Sequence, residues 1–255
     1  MIYNTGTNVK LINKAEYCKS IIADGKELIT GKESGEIRVP ELNDEKVYIT
    51  FKEDATDLSS TFYGCSALKS IPENLFANCP KATDLSSTFY GCWALKSIPE
   101  NLFANCPEVT DFSDAFGKTS VTSIPENLFA HNTEVTSFAT TFQECPFLTT
   151  IPEKLFANNP EVTNFAYTFS GCSALKSIPE NFFANNTKVT NFSYTFKNCS
   201  ALTGESPYTM IGDQKVHLYE RQNYPEHFTT PINFGDCFYE CTKLTDYAQI
   251  PSDWK

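Results

Sequence analysis

The chain has 255 residues, 41% of them apolar, with 21 Phe and 12 Tyr against 2 Met and 2 Trp, so it can bury an aromatic-rich core and is too apolar for disorder. Its formal net charge of −11 opposes binding to a nucleic-acid backbone or to anionic lipid. No apolar run approaches the ~18 residues of a membrane-spanning helix, which argues against direct membrane insertion. The opening MIYNTGTNVK lacks the basic and apolar regions of an export signal, so either the protein stays where it is made or Met1 stands where such a signal was.

Residues 1–54 carry no repeat. Polar loops such as GKESGE alternate there with apolar stretches such as KVYITF, and the segment reads as an N-terminal cap over the open end of a repeat array. From residue 55 to 203 one phrase returns, with Ile71, Ile98, Ile124, Ile151 and Ile178 spaced by 27, 26, 27 and 27. A period in this range marks a solenoid, in which each unit buries its apolar face only against its neighbours.

Each unit has two similar halves, as in VTNFAYTFSGCSALKSIPENFFANNTK from Val162. The dense β-branched and aromatic residues of VTDF and LKSI predict short parallel strands. Pro72, Pro99, Pro125, Pro152 and Pro179, each followed by Glu, predict helical turns opening on proline, and Ser59, Ser86 and Ser113 are expected to cap the turns before T-F. One coil per 27 residues is favoured over one per half, because a half-length coil leaves too little interior for two phenylalanine columns. Those columns run through Phe62, Phe89, Phe116, Phe142, Phe169 and Phe196, and through Phe76, Phe103, Phe129, Phe156 and Phe183.

Ten cysteines occur without a CxxC pair. Cys79 and Cys106 give way one period later to Asn132, Asn159 and Asn186, an exchange a disulfide does not tolerate and a small buried hydrogen-bonding group does. Free, buried thiols are expected. After Thr203 the segment GESPYTMIGDQKVHLYERQNYPEHFTTPIN breaks the period, and a last half-unit keeps Phe238, Cys241 and Leu244; residues 204–255 read as an insertion followed by a capping half-repeat.

The strings TFYGCSALKSI, VTDF and CFYECTKLTDYAQIP resemble BspA-like leucine-rich-repeat proteins, with their F-x-x-C-x-x-L-x-x-I signature, strongly over 55–203 and loosely over 234–251. The two condensed halves depart from the shorter pattern common in that family. The resemblance implies a right-handed leucine-rich-repeat solenoid of the α/β repeat class, with about 27 residues per coil and a cap at each end. It also implies an extracellular or cell-surface protein of the kind found on gut and oral bacteria, non-enzymatic, with a role in adhesion to a host or bacterial protein. It carries over no catalytic position and no cofactor.

Function is therefore sought where the repeat varies. Tyr167 and Tyr194 replace Ser60, Ser87, Asp114 and Thr140, and with Tyr208, Tyr219 and Tyr224 they are read as one exposed binding patch for a protein or, alternatively, a glycan. The Thr83, Thr110, Thr136, Thr163 and Thr190 column reads as solvent-facing strand positions, and the Glu73, Glu100, Glu126, Glu153 and Glu180 row as a solvated face partly offset by Lys69, Lys96 and Lys176. His217 and His227, near Glu220 and Glu226, do not have a spacing that enforces a zinc site. No nucleophile elbow or phosphate-binding loop is present; an enzyme site within 204–235 is the remaining alternative.

Overall fold

The computed structural model describes residues 1–29 and 33–255, so Gly31 and Lys32 of the GKESGE loop lie outside the described residues. The N-terminal part is built from β1 (Ile2–Tyr3), β2 (Gly6–Ile12), β3 (Cys18–Ala23), β4 (Lys26–Glu27), β5 (Ile37–Leu42) and β6 (Val47–Phe51). β2 pairs with β5, and β3 lies between β4 and β6, all antiparallel. β1 pairs with β7 (Leu68–Ser70) of the first coil, and the buried Tyr3 hydroxyl donates to the Leu11 carbonyl at 2.5 Å.

The repeat forms a stack of coils in register. Asp57, Asp84, Asp111, Ser137, Asn164, Asn191 and Asn233 each bridge to the next in parallel, which sets one coil per 27 residues up to the last step. The expected parallel strands shrink to these single bridges, and the turns opening on proline form as single i→i+3 turns, with the Pro72, Pro125 and Pro152 carbonyls accepting from the N–H of Leu75, Leu128 and Leu155 at 3.2–3.3 Å. In the first coil Leu58, Ser60, Phe62 and Gly64 donate their N–H groups to Asp84, Ser86, Thr88 and Tyr90 of the next coil at 2.7–3.0 Å, while Thr61, Tyr63 and Cys65 donate three residues back at 3.0–3.3 Å. Alternate amides thus point along the stack and along the chain. A strand sends its amides only to neighbours and a helix only to itself, so this backbone is neither. The alternation needs a left-handed residue at every fourth place, met by Ser60 at φ 57° and Gly64 at φ 67° and repeated in later coils.

Ser59, Ser86 and Ser113 do not act as caps. The Asp84 and Asp111 carboxylates accept from the backbone N–H of Ser86 and Ser113 instead, so the preceding aspartate closes the turn.

The phenylalanine columns form the core. Phe62–Phe89 rings lie 5.4 Å apart at 1°, and the second column runs from Phe76–Phe103 at 5.9 Å to Phe156–Phe183 at 6.4 Å. A third column, Phe112, Phe138, Phe165 and Phe192, interlocks with the second; Phe129–Phe138 rings are 4.6 Å apart. Each such pair adds roughly 0.5–1.5 kcal/mol beyond its buried area.

All ten cysteines are free and buried. Cys92, Cys145, Cys172, Cys199 and Cys241 each place Sγ 3.0–3.2 Å from a phenylalanine carbonyl one coil back. In the Cys/Asn column, Asn159 Nδ2 donates to Phe129 and Asn132 carbonyls at 3.1 and 2.8 Å, and Asn186 to Phe156 and Asn159 at 3.1 and 2.9 Å. The side chains there replace the inter-coil backbone bonds that the other half makes.

Residues 205–230 lie within the sixth coil, which is longer than the others and runs from the Asn191 bridge to the Asn233 bridge. The hairpin β8 (Tyr208–Ile211) and β9 (Gln214–His217) runs into a 3₁₀ turn, Leu218–Asn223, which carries Arg221 into the end of the asparagine column. Ile232 and Asn233 N–H then bond to Thr190, and the parallel stacking resumes. Trp254 closes the last coil, stacked on Phe234 at 4.6 Å, with its carbonyl accepting from Phe238.

Candidate functional site

A coil positions side chains by repeat place, so equivalent residues form columns on the surface. Tyr167 and Tyr194 occupy the left-handed place with φ of 59° and 60°, and their rings stack 4.3 Å apart at 14°. Lys197 lies over the Tyr194 ring and over the Tyr239 ring of the next coil, 4.7 Å from each, and its Nζ is 3.1 Å from Asp236. The Asp236 contact raises the Lys197 pKa, and burial followed by the adjacent Tyr194 raises that of Tyr167. The result is a tyrosine–tyrosine–lysine–tyrosine surface held on the backbone of three successive coils.

A second aromatic surface lies near the other end. Tyr63 and Tyr90 stack at 5.1 Å, with Lys118 5.6 Å above Tyr90 and 3.6 Å from Glu144. Gly117 makes room for it: a Cβ there would lie 2.8 Å from the Tyr90 ring.

The structure does not bring the five predicted tyrosines together. Tyr208 meets His217 edge-on at 5.7 Å, and Tyr219 stacks on His217 at 5.2 Å with only 9% of its surface exposed. Burial pushes the Tyr219 pKa up to about 12, and this ring packs the hairpin instead of displaying a contact. Tyr224 accepts a hydrogen bond from the Gln214 amide. Among the described residues, no ring contact joins these three to Tyr167 or Tyr194.

Ser206, His217 and Asp246 do meet, and their geometry decides what they do. Ser206 Oγ lies 2.5 Å from Asp246 Oδ2 and 2.9 Å from His217 Nδ1, and that same nitrogen is 3.5 Å from Asp246 Oδ2. In a serine-histidine-aspartate relay the serine and the acid address opposite nitrogens of the ring. Here both address one, and Ser206 is fully buried. The cluster instead ties the hairpin to the C-terminal segment, with Asp246 Oδ1 also accepting from the Ser206 N–H at 2.9 Å.

Among the described residues, no three His, Cys, Asp or Glu side chains converge as a metal site would require, and no helix is long and apolar enough to cross a membrane. Within the glutamate row, Glu100 and Glu73 accept from asparagine and not from the lysine column: Asn127 Nδ2 donates to Glu100 at 3.0 Å and Asn101 to Glu73, while Lys69 pairs with Glu45 of the N-terminal part. The threonine column is bland, since Thr83, Thr110, Thr136, Thr163 and Thr190 each donate to the threonine carbonyl one coil back at 3.3–3.4 Å.

Sequence reasoning missed four exposed aromatics: Tyr63, Trp93, Phe147 and Tyr239. For Trp93 and Phe147 the signal was departure from the consensus. Trp93 stands where Ser66, Ser120, Ser173 and Ser200 recur, and Phe147 where Ala67, Ala94, Ala174 and Ala201 recur.

The profile of a family described as BspA type leucine rich repeat region matches in six copies, over residues 50–190 and 96–245. No curated protein matches the chain. Among solved structures, a leucine-rich repeat protein from Bacteroides ovatus ATCC 8483 is 20% identical with a TM-score of 0.28, over 57% of this chain and 41% of that one. The present chain thus spans less than half the length of that relative.

Proposed function

Because the chain belongs to the BspA-type leucine-rich-repeat family, whose repeated residues serve the scaffold, we propose that it is a non-enzymatic binding or adhesion module that recognises a protein partner at a bacterial surface. In this reading residues 55–203 are a right-handed solenoid, with 1–54 and 204–255 covering its two ends.

The observation that supports it is the placement of Tyr167 and Tyr194. Both hold the left-handed backbone conformation of this place in the coil, φ 59° and 60°, which holds the two side chains side by side. The equivalent places elsewhere carry Ser60, Ser87, Asp114, Thr140 and Asp236. Two rings stacked where the other coils carry short polar side chains, neither of them part of the core, fit recognition better than packing. A glycan fits less well. Tyr194 already carries Tyr167 stacked at 4.3 Å and Lys197 over its ring, which leaves that ring no bare face for a sugar.

The test is surface plasmon resonance against purified extracellular-matrix proteins and bacterial surface proteins, with a glycan array run in parallel. At least one protein is expected to be retained, and replacing both Tyr167 and Tyr194 by Ser is expected to weaken it about tenfold. A blank protein panel with a positive glycan array would reverse the assignment.

A further inference from the structure

The variable residues and the charge converge on one edge of the stack. Two inter-coil ladders bound it. On one side Gly64, Gly91, Lys118, Glu144, Gly171 and Asn198 donate in turn to Tyr90, Gly117, Gln143, Ser170, Lys197 and Tyr239. On the other, Thr122, Thr149, Lys176 and Thr203 donate to Lys96, Thr122, Thr149 and Lys176. Residues 63–69 and their equivalents 90–96, 117–122, 143–149, 170–176, 197–203 and 239–245 therefore lie side by side as one continuous strip.

Six large apolar side chains are exposed among the described residues, and four of them, Tyr63, Trp93, Phe147 and Tyr239, stand on this strip. The other two, Tyr48 and Ile232, lie elsewhere. Charge segregates the same way. The strip carries Lys69, Lys96, Lys118, Lys176, Lys197 and Lys243 against only Glu144 and Glu240, in a chain whose formal net charge is −11. Lys96, Lys176 and Lys243 are exposed and form no ion pair among the described residues.

We infer that this strip is the docking surface of the module and that the partner presents an acidic protein segment with apolar side chains between its carboxylates. The inference rests on the protein-binding reading, places the Tyr167–Tyr194 pair at the border of the strip through Lys197, which lies over the Tyr194 and Tyr239 rings, and adds the face and the charge of the partner. Exposed aromatic anchors are the side chains that concentrate binding energy at protein interfaces, and unpaired lysines beside them attract carboxylates and repel basic partners. A nucleic acid would meet the same lysines but also the acidic remainder of the chain, which opposes a long polyanion. Phe147 has no polar tip and stands beside Pro146, a contact suited to an apolar side chain of a protein.

Trp93 provides a direct readout, because it is half exposed while the other tryptophan, Trp254, is buried. A library of random peptides displayed on phage is selected on the intact protein. The inference expects enriched peptides to carry excess Asp and Glu with at least one large apolar residue, and to shield Trp93 fluorescence from acrylamide. Their affinity is expected to fall several-fold between low salt and ~0.3 M salt. The triple variant Lys96→Glu, Lys176→Glu, Lys243→Glu is expected to weaken binding about tenfold or more with an unchanged melting temperature, and Trp93→Ser with Phe147→Ser to do the same at every salt concentration.

Enriched peptides that are neutral or basic, or that bind the triple variant as well as the parent, overturn the inference and leave the protein-binding reading standing. Tighter binding of polygalacturonate than of any selected peptide assigns the strip to an anionic glycan and overturns the protein partner. If no peptide is enriched and the protein panel is also blank, both readings fall.

Discussion

Arg221 stands where the next asparagine of the ladder would stand. Its Nη1 donates to the Asn186 carbonyl at 2.9 Å and its Nη2 to the Phe183 carbonyl at 2.7 Å, the same two places on the coil that Asn186 itself addresses one coil earlier. The guanidinium is 1% exposed and lies 4.2 Å from the centre of the Phe228 ring, and burial pulls its pKa down to about 9.

Replacing Arg221 by Leu strands two buried carbonyls, a loss of roughly 1–3 kcal/mol each that is partly offset by no longer burying a charge. A net destabilisation of about 2–3 kcal/mol is expected, which lowers Tm by roughly 4–12 °C in a chain of this size. Thermal melting followed by circular dichroism checks it, and an unchanged Tm would show that the ladder needs no terminal donor.

The asparagines of this column are compromises. Each donates twice, yet the Oδ1 atoms of Asn132, Asn159 and Asn186 are buried without a hydrogen-bond partner. Asn159→Cys removes two donated bonds together with one orphaned acceptor, so it is expected to change stability by less than about 1 kcal/mol. Asn159→Ala also opens a cavity and is expected to cost about 2 kcal/mol in urea unfolding. That balance explains why cysteine, as at Cys106 with Sγ 3.8 Å from the Phe76 carbonyl, alternates with asparagine in one column.

The thiols make the fold sensitive to alkali. Burial pushes Cys65, Cys106 and Cys241 up to about 12 and Cys79 and Cys145 up to about 11, from an ordinary value of 9.0. Below pH 9.0 both folded and unfolded chains keep these protons, and stability does not depend on them. Above it the unfolded chain releases protons that the folded one retains, so stability falls as pH rises towards 11 or 12, by about 1.4 kcal/mol per pH unit per thiol. Cys145→Thr, which copies Thr119 of the same column, is expected to flatten that slope by one thiol's share. Native protein should be inert to a thiol reagent below pH 9.0, and reductant should leave Tm unchanged.

Glu144 holds φ 53° at a place taken by Gly64, Gly91 and Gly171 in other coils. Glu144→Gly is expected to stabilise by about 1 kcal/mol, less the small worth of its exposed ion pair with Lys118. Gly171→Ala does the opposite, since φ is 77° there and the new Cβ would lie 3.3 Å from Glu144 Cγ. A loss of about 1–2 kcal/mol is expected, smaller in the Glu144→Gly background, and a double-mutant cycle measures the difference.

The period, the Phe62 and Phe76 columns and the Cys/Asn exchange were all legible because each depends on a side chain recurring at a fixed interval. The backbone was not legible. Left-handed places are filled by Ser60, Asp114, Thr140, Tyr167, Lys118 and Glu144 as well as by glycine, so residue type does not reveal them. VTDF and LKSI have the composition of strands, but inter-coil bonding takes only alternate amides, and composition carries no trace of that division. Arg221 was hidden for a different reason: its role depends on the 3₁₀ turn that delivers it, within a segment without repeats. For the surface, attention to the tyrosines grouped Tyr167 and Tyr194, which stack on each other, with Tyr219, which the hairpin buries, and passed over Trp93 and Phe147, which differ from their columns without being tyrosine.

Termination by Arg221 has an evolutionary consequence. The last asparagine is answered by a side chain from its own closing segment, whose demands are the same whether five coils or ten precede it. A gene can then duplicate or delete a unit without redesigning either end. The length of the binding strip becomes free to follow the size of its partner, while the fold stays as it is.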